Sequence, residues 1–293
     1  MTRLTAADFD PEVLKLFDGY VHGRVSRRDF LARAGRYAAG GTTAAALLAQ
    51  LSPSFAGPLV ASADARLKTA YVDFPSPQGY GKVHGYLAEP AHAKGKLPTI
   101  LVVHENRGLN PHIEDIARRI ALDGYVAFAP DALYPLGGYP GDEDKARDLF
   151  PKLDQTRTRA DFIAAVQALA TLPQGTGKVG VVGFCYGGGI ANYFATHADL
   201  AAVVPFYGMQ PPAADVARIR APLLIHDAGK DERILAGWPA YEAALKANHV
   251  DYQHFVYPGV EHGFNNDTTP RYDEAAARLA WGRTMAFFKA KLA

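Results

Sequence analysis

The chain has 293 residues, of which 48% are hydrophobic and 21% are charged, and these fractions are typical of a globular protein. The formal net charge is +1, so charge gives no reason to expect nucleic acid or an anionic membrane as a partner. Cys185 is the single cysteine, which excludes an intramolecular disulfide and a cysteine-rich metal site.

The first 65 residues differ in character from the rest and are predicted to form a separate N-terminal helical segment. Asp10 followed by Pro11 is typical of a helix start, with the aspartate as N-cap and the proline at the first helical position. Apolar residues then follow at helical spacing, which predicts an amphipathic helix. These residues are Phe9, Val13, Leu16, Phe17, Tyr20 and Val21.

A pair of arginines follows this segment. Residues 26–31 read Ser-Arg-Arg-Asp-Phe-Leu, and residues 37–51 are uncharged and rich in alanine and glycine. That stretch is shorter than the roughly 20 residues of a membrane span. With the small residues at 61–63, the pattern predicts a twin-arginine export signal cleaved near residue 64, and hence a periplasmic or secreted protein that uses the export machinery. The alternative is a cytoplasmic protein with a retained helical arm, because Ser26 and Asp29 also form a capping box.

From residue 66 to residue 293 short apolar runs alternate with segments of helical spacing. This alternation predicts a single catalytic domain of the α/β class, with a mostly parallel sheet and helices on both faces. The expected strands are 70–74, 82–88, 99–103, 126–129, 179–184, 201–206, 223–226 and 252–257, and the expected helices are 111–122, 159–172, 188–197, 239–248 and 272–292.

Residues 183–189 read Gly-Phe-Cys-Tyr-Gly-Gly-Gly and lie between an expected strand and an expected helix. This is the pattern of a nucleophile elbow, G-x-S-x-G, with Cys185 at the serine position. Glycines allow the sharp turn to bring backbones together, and the helix N-terminus behind the cysteine favours a thiolate. The alternative is a buried cysteine beside a glycine-rich helix packing site.

In such folds an acid and then a histidine follow the nucleophile along the chain. Asp231 and His262 each follow an expected strand, at the sheet edge where α/β proteins bind ligands. We therefore predict His262 as the base toward the thiol and Asp231 as its orienting acid. Asp227 is a rival acid but lies closer to its strand and is interpreted as structural. His104, His226 and His254 lie in or beside strands and are interpreted as satisfied structural residues.

Four sequence blocks in this order resemble the dienelactone hydrolase family of α/β-hydrolases, and in particular its longer members with an N-terminal twin-arginine segment. The blocks are His-Glu-Asn-Arg-Gly-Leu at 104–109, the elbow, Asp231 and residues 259–264, and the resemblance covers about residues 68–290. It implies a Cys185-Asp231-His262 triad without metal or organic cofactor. It also implies that Glu105 contacts the resting cysteine and that the backbone N–H groups of Tyr186 and Asn106 form the oxyanion hole.

One position departs from the family pattern. The family places an arginine that holds a substrate carboxylate four residues after the catalytic histidine, but this chain has Asn266 there. A dienelactone is therefore uncertain as the substrate. Candidates for substrate binding are Arg271, Trp238 and Tyr134, the last in an expected loop over the site at 134–139. Arg147, Arg157 or Arg159 could provide a second arginine for a substrate carboxylate.

The sequence thus predicts hydrolysis of a small-molecule carboxylic ester or lactone through a thioester on Cys185. Two alternatives stay open, a redox-active thiol protein and a non-catalytic small-molecule-binding homologue. Glu105 is hypothesised to keep the resting thiol protonated, or instead to brace the loop that carries Asn106. An integral membrane span is not expected, and the oligomeric state is left open.

Overall fold

The structure is a computed structural model, and it describes residues 3–38 and 42–293. Residues 39–41, near the start of the uncharged segment noted in the sequence, lie outside the described residues, as do residues 1 and 2. Within the described ranges, no helix is both long enough and apolar enough to cross a bilayer.

The centre of the catalytic domain is an eight-stranded sheet in the order β1-β2-β4-β3-β5-β6-β7-β8. The first two strands form an antiparallel hairpin, and the second pairs antiparallel with the fourth, whereas the remaining pairs are parallel. The strands are β1 (Leu67–Ser76), β2 (Gly81–Pro90), β3 (Leu97–Val103), β4 (Val126–Pro130), β5 (Gly175–Phe184), β6 (Ala202–Phe206), β7 (Leu223–Ala228) and β8 (Tyr252–Tyr257).

The helices lie on both faces of this sheet. The central strands are buried on both sides, and this is why they contain almost continuous apolar runs such as that of β4. In chain order the helices are α1 (Pro11–Val21), α2 (Arg27–Ala34), α3 (Ala44–Leu51), α4 (Pro111–Leu122), α5 (Glu143–Leu149), α6 (Gln155–Ala170), α7 (Tyr186–His197), α8 (Glu232–Leu235), α9 (Trp238–Ala247) and α10 (Glu274–Leu292).

Two hydrophobic cores flank the sheet. On one face α4 and α10 cover the strands, with Ile116 and Phe288 among the fully buried side chains. On the other face α6, α7 and α9 supply Phe162, Phe194 and Leu245. The predicted fold, a mostly parallel sheet covered by helices on both faces, is therefore confirmed.

The N-terminal residues form a small helical arm, comprising α1, α2 and α3, with a hydrophobic core of its own that includes Phe17, Tyr20 and Phe30. Asp10 caps α1 by accepting from the backbone N–H of Glu12 at 2.8 Å. The arm also contacts the catalytic domain, where Tyr20 hydrogen-bonds Asp144. Its α1 helix ends near the turn that follows β5, which places the next residue beside Cys185.

Candidate active site

Cys185 occupies the turn between β5 and α7, as the elbow motif predicts. Its backbone has φ 55° and ψ −109°, an unfavourable conformation for a non-glycine residue that occurs at strained functional turns. Its N–H donates to the carbonyl oxygen of Phe206 at 3.1 Å. At Gly187 an added Cβ would lie 2.2 Å from the carbonyl oxygen of Val103, so only glycine allows α7 to begin this close to β3.

His262 and Asp231 meet at the carboxyl edge of the sheet. Nδ1 of His262 hydrogen-bonds the Asp231 carboxylate, and both side chains are buried. This contact leaves Nε2 of His262 free of the carboxylate, and a ring nitrogen of His262 lies within 4.8 Å of the Cys185 sulfur. Among the described residues this buried Nε2 has no hydrogen-bond partner.

A second histidine, which sequence analysis did not select, also reaches the thiol. His22, the first residue after α1, has its Nε2 3.4 Å from the sulfur of Cys185. The rings of His22 and His262 meet edge to face with centroids 4.9 Å apart. Nδ1 of His22 lies 2.8 Å from the carbonyl oxygen of Asp18 and 3.1 Å from its carboxylate. The arm therefore carries a second His–Asp pair.

The charges around Cys185 favour its ionised form. Burial opposes ionisation, but His262 and then His22 outweigh it and lower the pKa of the Cys185 thiol to about 6. Burial would also lower the pKa of His262, yet the cysteine and Asp231 raise it to about 10. The pKa of His22 is raised by Cys185 and Asp18 against the effect of burial. A thiolate–imidazolium pair is thus the favoured resting state at neutral pH.

A cavity of about 620 Å³ opens beside the nucleophile. Cys185, His22 and Asn106 line it, whereas His262 is not among its lining residues. Apolar and aromatic side chains from α7 and the loop after β6 form much of the remaining wall, including Tyr186 and Met209. Its size suits a small organic molecule.

The two expected oxyanion donors lie at this cavity. Tyr186 is the first residue of α7, where backbone N–H groups have no acceptor within the helix. Asn106 follows β3, and its side chain donates to the carbonyl oxygen of Val21 at 3.0 Å. The arm therefore contacts the loop that is expected to supply one donor.

Glu105 has a different hydrogen-bond partner from the one the family resemblance implies. Its carboxylate accepts from Nδ2 of Asn266 at 3.0 Å, whereas the thiol is hydrogen-bonded to His22. Both Glu105 and Asn266 line a small cleft that the arm covers, together with Arg271. Nη1 of Arg271 is 3.7 Å from the carboxylate of Asp18, so this candidate for substrate binding contacts the arm instead.

Two other candidates for substrate binding are placed away from the cavity, and their prediction is corrected. The ring of Tyr134 stacks on His84 of β2 at 4.2 Å between centroids. Trp238 begins α9 and stacks on His254 at 3.5 Å. None of residues 134–139 lines the cavity at Cys185, so the expected loop over the site covers another part of the sheet.

Asp227 and the three histidines that were interpreted as structural have hydrogen-bond partners in the fold. Asp227 hydrogen-bonds His254 at 2.9 Å. His226 lies between Thr284 and Tyr257 in the core. Nε2 of His104 accepts from the backbone N–H of Ala132 at 3.1 Å.

The side chains of His22, Cys185 and His262 are also potential metal ligands. The ligand atoms of His22, Cys185 and His262 all lie within 4.8 Å of one another, and each histidine is oriented by a carboxylate, as in many zinc sites. Nη2 of Arg233 is 3.5 Å from Nε2 of His22, and this positive charge disfavours a divalent cation at the same place. A metal-free site stays the prediction.

Comparison with known proteins identifies the family of this domain. The model of the Dienelactone hydrolase family matches residues 83–292, which contain Cys185, Asp231 and His262. The chain belongs to the dienelactone hydrolase family. It is therefore a hydrolase of the dienelactone hydrolase class, with the α/β-hydrolase fold.

Similar proteins span most of the chain. A "Putative carboxymethylenebutenolidase" of Synechocystis is 32% identical over 77% of this chain and 98% of its own length. One of Escherichia coli K12 is 31% identical over 85% of this chain and 96% of its own. The crystal structure of a "Putative Dienelactone Hydrolase" from Klebsiella pneumoniae is 29% identical, with a TM-score of 0.69 over 76% of this chain and 98% of that one.

The arm has a family match of its own. A model described as YqhI-like matches residues 1–39, the segment that holds Asp18 and His22. The dienelactone hydrolase match begins at residue 83, so the histidine that the arm brings to the thiol lies outside it. The twin-arginine segment at residues 26–31 stays a prediction.

Proposed function

We propose that this hydrolase cleaves a small carboxylic ester or lactone through a thioester on Cys185, with His262 as the acid that protonates the leaving group and Asp231 as the residue that orients His262. The observation that carries the proposal is the contact from Asp231 to Nδ1 of His262, together with a ring nitrogen of His262 within 4.8 Å of the sulfur at the elbow. A redox thiol would not require this arrangement, nor would a binding protein.

In the acylation half-reaction, the thiolate of Cys185 forms a bond to the ester carbonyl carbon. The carbonyl oxygen gains negative charge, which the backbone N–H groups of Tyr186 and Asn106 would stabilise. When the C–O bond to the leaving group breaks, the alkoxide takes the proton from Nε2 of His262. The alcohol is released, or remains attached to the acyl group when the substrate is a lactone.

In the deacylation half-reaction, water forms a bond to the thioester carbon and loses a proton to an imidazole. The C–S bond then breaks, and the sulfur leaves as a thiolate. The charged pair at Cys185 supports this cycle, since a thiol pKa of about 6 makes the sulfur both a ready nucleophile and a good leaving group at neutral pH.

The test is hydrolysis of a panel of small esters and lactones by wild type, Cys185→Ala and His262→Gln. We expect each variant to lose about three orders of magnitude or more in kcat, because members of a triad act as a unit. A thioester adduct on Cys185 should be detectable by mass spectrometry after acid quench. Esterase activity largely retained in Cys185→Ala would refute the mechanism.

We further propose that the arm stays attached in the mature enzyme. Its contacts with the active-site loop support this, since Asn106 and Arg107 both donate to the carbonyl oxygen of Val21, at 3.0 Å and 3.2 Å. Arg27, the first of the paired arginines, forms an ion pair with Asp144 of the catalytic domain. Cleavage near residue 64 would remove every one of these contacts. The cellular location, periplasmic or cytoplasmic, stays a prediction.

A further inference from the structure

The end of α1 fixes His22 beside the nucleophile. The backbone N–H of His22 donates to the carbonyl oxygen of Asp18 at 3.1 Å, so the residue caps the helix. The catalytic domain holds this point of the chain through Asn106 and Arg107, and the guanidinium of Arg107 is itself buried. The imidazole is therefore positioned by both parts of the molecule and not by a free loop.

The contacts of His22 define which ring nitrogen carries the proton. Nδ1 faces two oxygens of Asp18, which only accept hydrogen bonds, so Nδ1 donates. Nε2 faces Arg233, whose guanidinium only donates, at 3.5 Å. The neutral ring therefore presents the lone pair of Nε2 to the thiol and the cavity, as a general base requires.

The two histidines differ in their access to the cavity. His22 lines the 620 Å³ cavity beside Cys185, whereas His262 is absent from its lining. A substrate or water molecule that enters the cavity thus meets the imidazole of His22 directly, next to the sulfur of Cys185.

We propose that His22, oriented by Asp18, is the general base that activates water in deacylation, so that the N-terminal arm completes the active site. This inference rests on the proposed thioester mechanism. His262 then serves acylation by giving its proton to the leaving alkoxide. His22 serves the second half of the cycle.

The protons and electrons balance over this cycle. Water gives one proton to Nε2 of His22, and its oxygen forms the new bond to the thioester carbon. The C–S bond breaks with its electron pair on sulfur, which yields a carboxylic acid and a thiolate next to a His22 imidazolium. The proton then passes through the sulfur to His262, which has a ring nitrogen within 4.8 Å of the Cys185 sulfur and of a ring nitrogen of His22. This restores the resting pair.

The charges around His22 favour its neutral form in the acyl-enzyme, the stage at which water must be deprotonated. The groups that face it are Asp18, Cys185, His262 and Arg233, and Arg271 reaches it only through Asp18. The negative charge of Cys185 is the largest influence that raises the pKa of His22. A thioester carries no such charge, so acylation lowers the pKa of His22 and leaves a neutral ring when water must be deprotonated.

The test is steady-state and burst kinetics of full-length His22→Gln with p-nitrophenyl acetate. We expect kcat and KM to fall together by about a hundredfold, the usual effect of losing a general base, while kcat/KM stays within about threefold of wild type. The reason is that kcat/KM reports acylation, which His262 still serves. A burst of nitrophenol near one equivalent per enzyme should appear, and an acetyl group should accumulate on Cys185.

Three further variants extend this test. Asp18→Asn should give the same pattern to a smaller extent, because it leaves the base but removes its orienting carboxylate. Lys15→Gln is the matched control on the same helix, since Lys15 is exposed and pairs only with Glu12 within the described residues, and it should behave as wild type. His22→Ala should recover deacylation when imidazole is added, since the vacated space adjoins the cavity, and this recovery would also show that the variant is folded.

Other outcomes contradict the inference in recognisable ways. Higher activity in His22→Gln would mean that the arm obstructs the site. An equal loss of kcat and kcat/KM without a burst would place His22 in acylation. Wild-type kinetics in His22→Gln with an inactive Cys185→Ala would overturn this inference alone, whereas an active Cys185→Ala would overturn the thioester mechanism itself.

Discussion

At the residue scale, the sulfur of Cys185 lies close to two imidazoles, and this arrangement should control when it ionises. Because the pKa of the thiol is lowered to about 6, the thiolate should predominate above that pH. We expect the rate of iodoacetamide labelling to rise with a midpoint near pH 6, well below the roughly 8.5 of an ordinary cysteine. Labelling reports this site alone, because Cys185 is the single cysteine.

Substituting the histidines should move this midpoint in a known direction. His262→Gln removes the larger of the two influences that favour the thiolate, so the midpoint should rise further than in His22→Gln. Glu105→Gln tests the earlier hypothesis on the resting thiol, and an unchanged profile would leave Glu105 as a partner of Asn266 only. A wild-type midpoint at or above the ordinary value would contradict the charged resting pair.

Sequence analysis could find only part of this constellation. Cys185, Asp231 and His262 were accessible because each follows a strand, and strand ends share one edge of a parallel sheet. His22 was not, since it is 163 residues from Cys185 and follows a helix. The periodicity of α1 predicts which face is buried, but not which surface that face contacts. The helix start at Asp10-Pro11 is the sequence feature that comes nearest to indicating His22, because it predicts the helix that His22 follows.

At the scale of elements, the contact between the start of α7 and the end of β3 leaves no space for a side chain. In Gly187→Ala the new Cβ would lie 2.2 Å from the carbonyl oxygen of Val103, and backbone atoms cannot move aside cheaply. We expect the free energy of unfolding to fall by about 1–3 kcal/mol or more, as for other overpacked sites. Denaturant unfolding, followed by circular dichroism, measures this.

A neighbouring glycine provides the control for this experiment. The Cβ added by Gly189→Ala would come no closer than 3.6 Å to Met209, an ordinary contact, and alanine favours a helix over glycine by up to about 1 kcal/mol. We therefore expect no loss of stability in Gly189→Ala. Similar losses in both variants would show that helix packing in general, and not the tight elbow, determines the effect.

Elements were predicted from sequence more reliably than the loops between them. Buried strands such as β3 and β6 are continuous apolar runs, so their existence follows from their composition. The positions of Tyr134 and Trp238 do not follow in this way, because a loop or helix start can turn toward either side of the sheet. Their stacking on His84 and His254 depends on tertiary neighbours that a single sequence does not indicate.

At the scale of the whole molecule, the arm and the catalytic domain share one active site. We expect protein purified from its native cells to retain the arm, with an N-terminus well before His22, because loss of the arm would remove the residue beside the thiol. Intact mass and N-terminal sequencing measure this directly. A mature N-terminus near residue 64 would support the export signal and would exclude any catalytic role for the arm.

Because the chain is synthesised from its N-terminus, the arm is made before the part of the catalytic domain on which it docks. His22 leaves the ribosome 163 residues before Cys185, which at roughly 5–20 residues per second is an interval of about 8–30 s. During that time the arm can form its own small core, but the surface that it will cover does not yet exist. Docking is therefore a late event in maturation, and a newly made chain has its reactive sulfur uncovered until the arm binds.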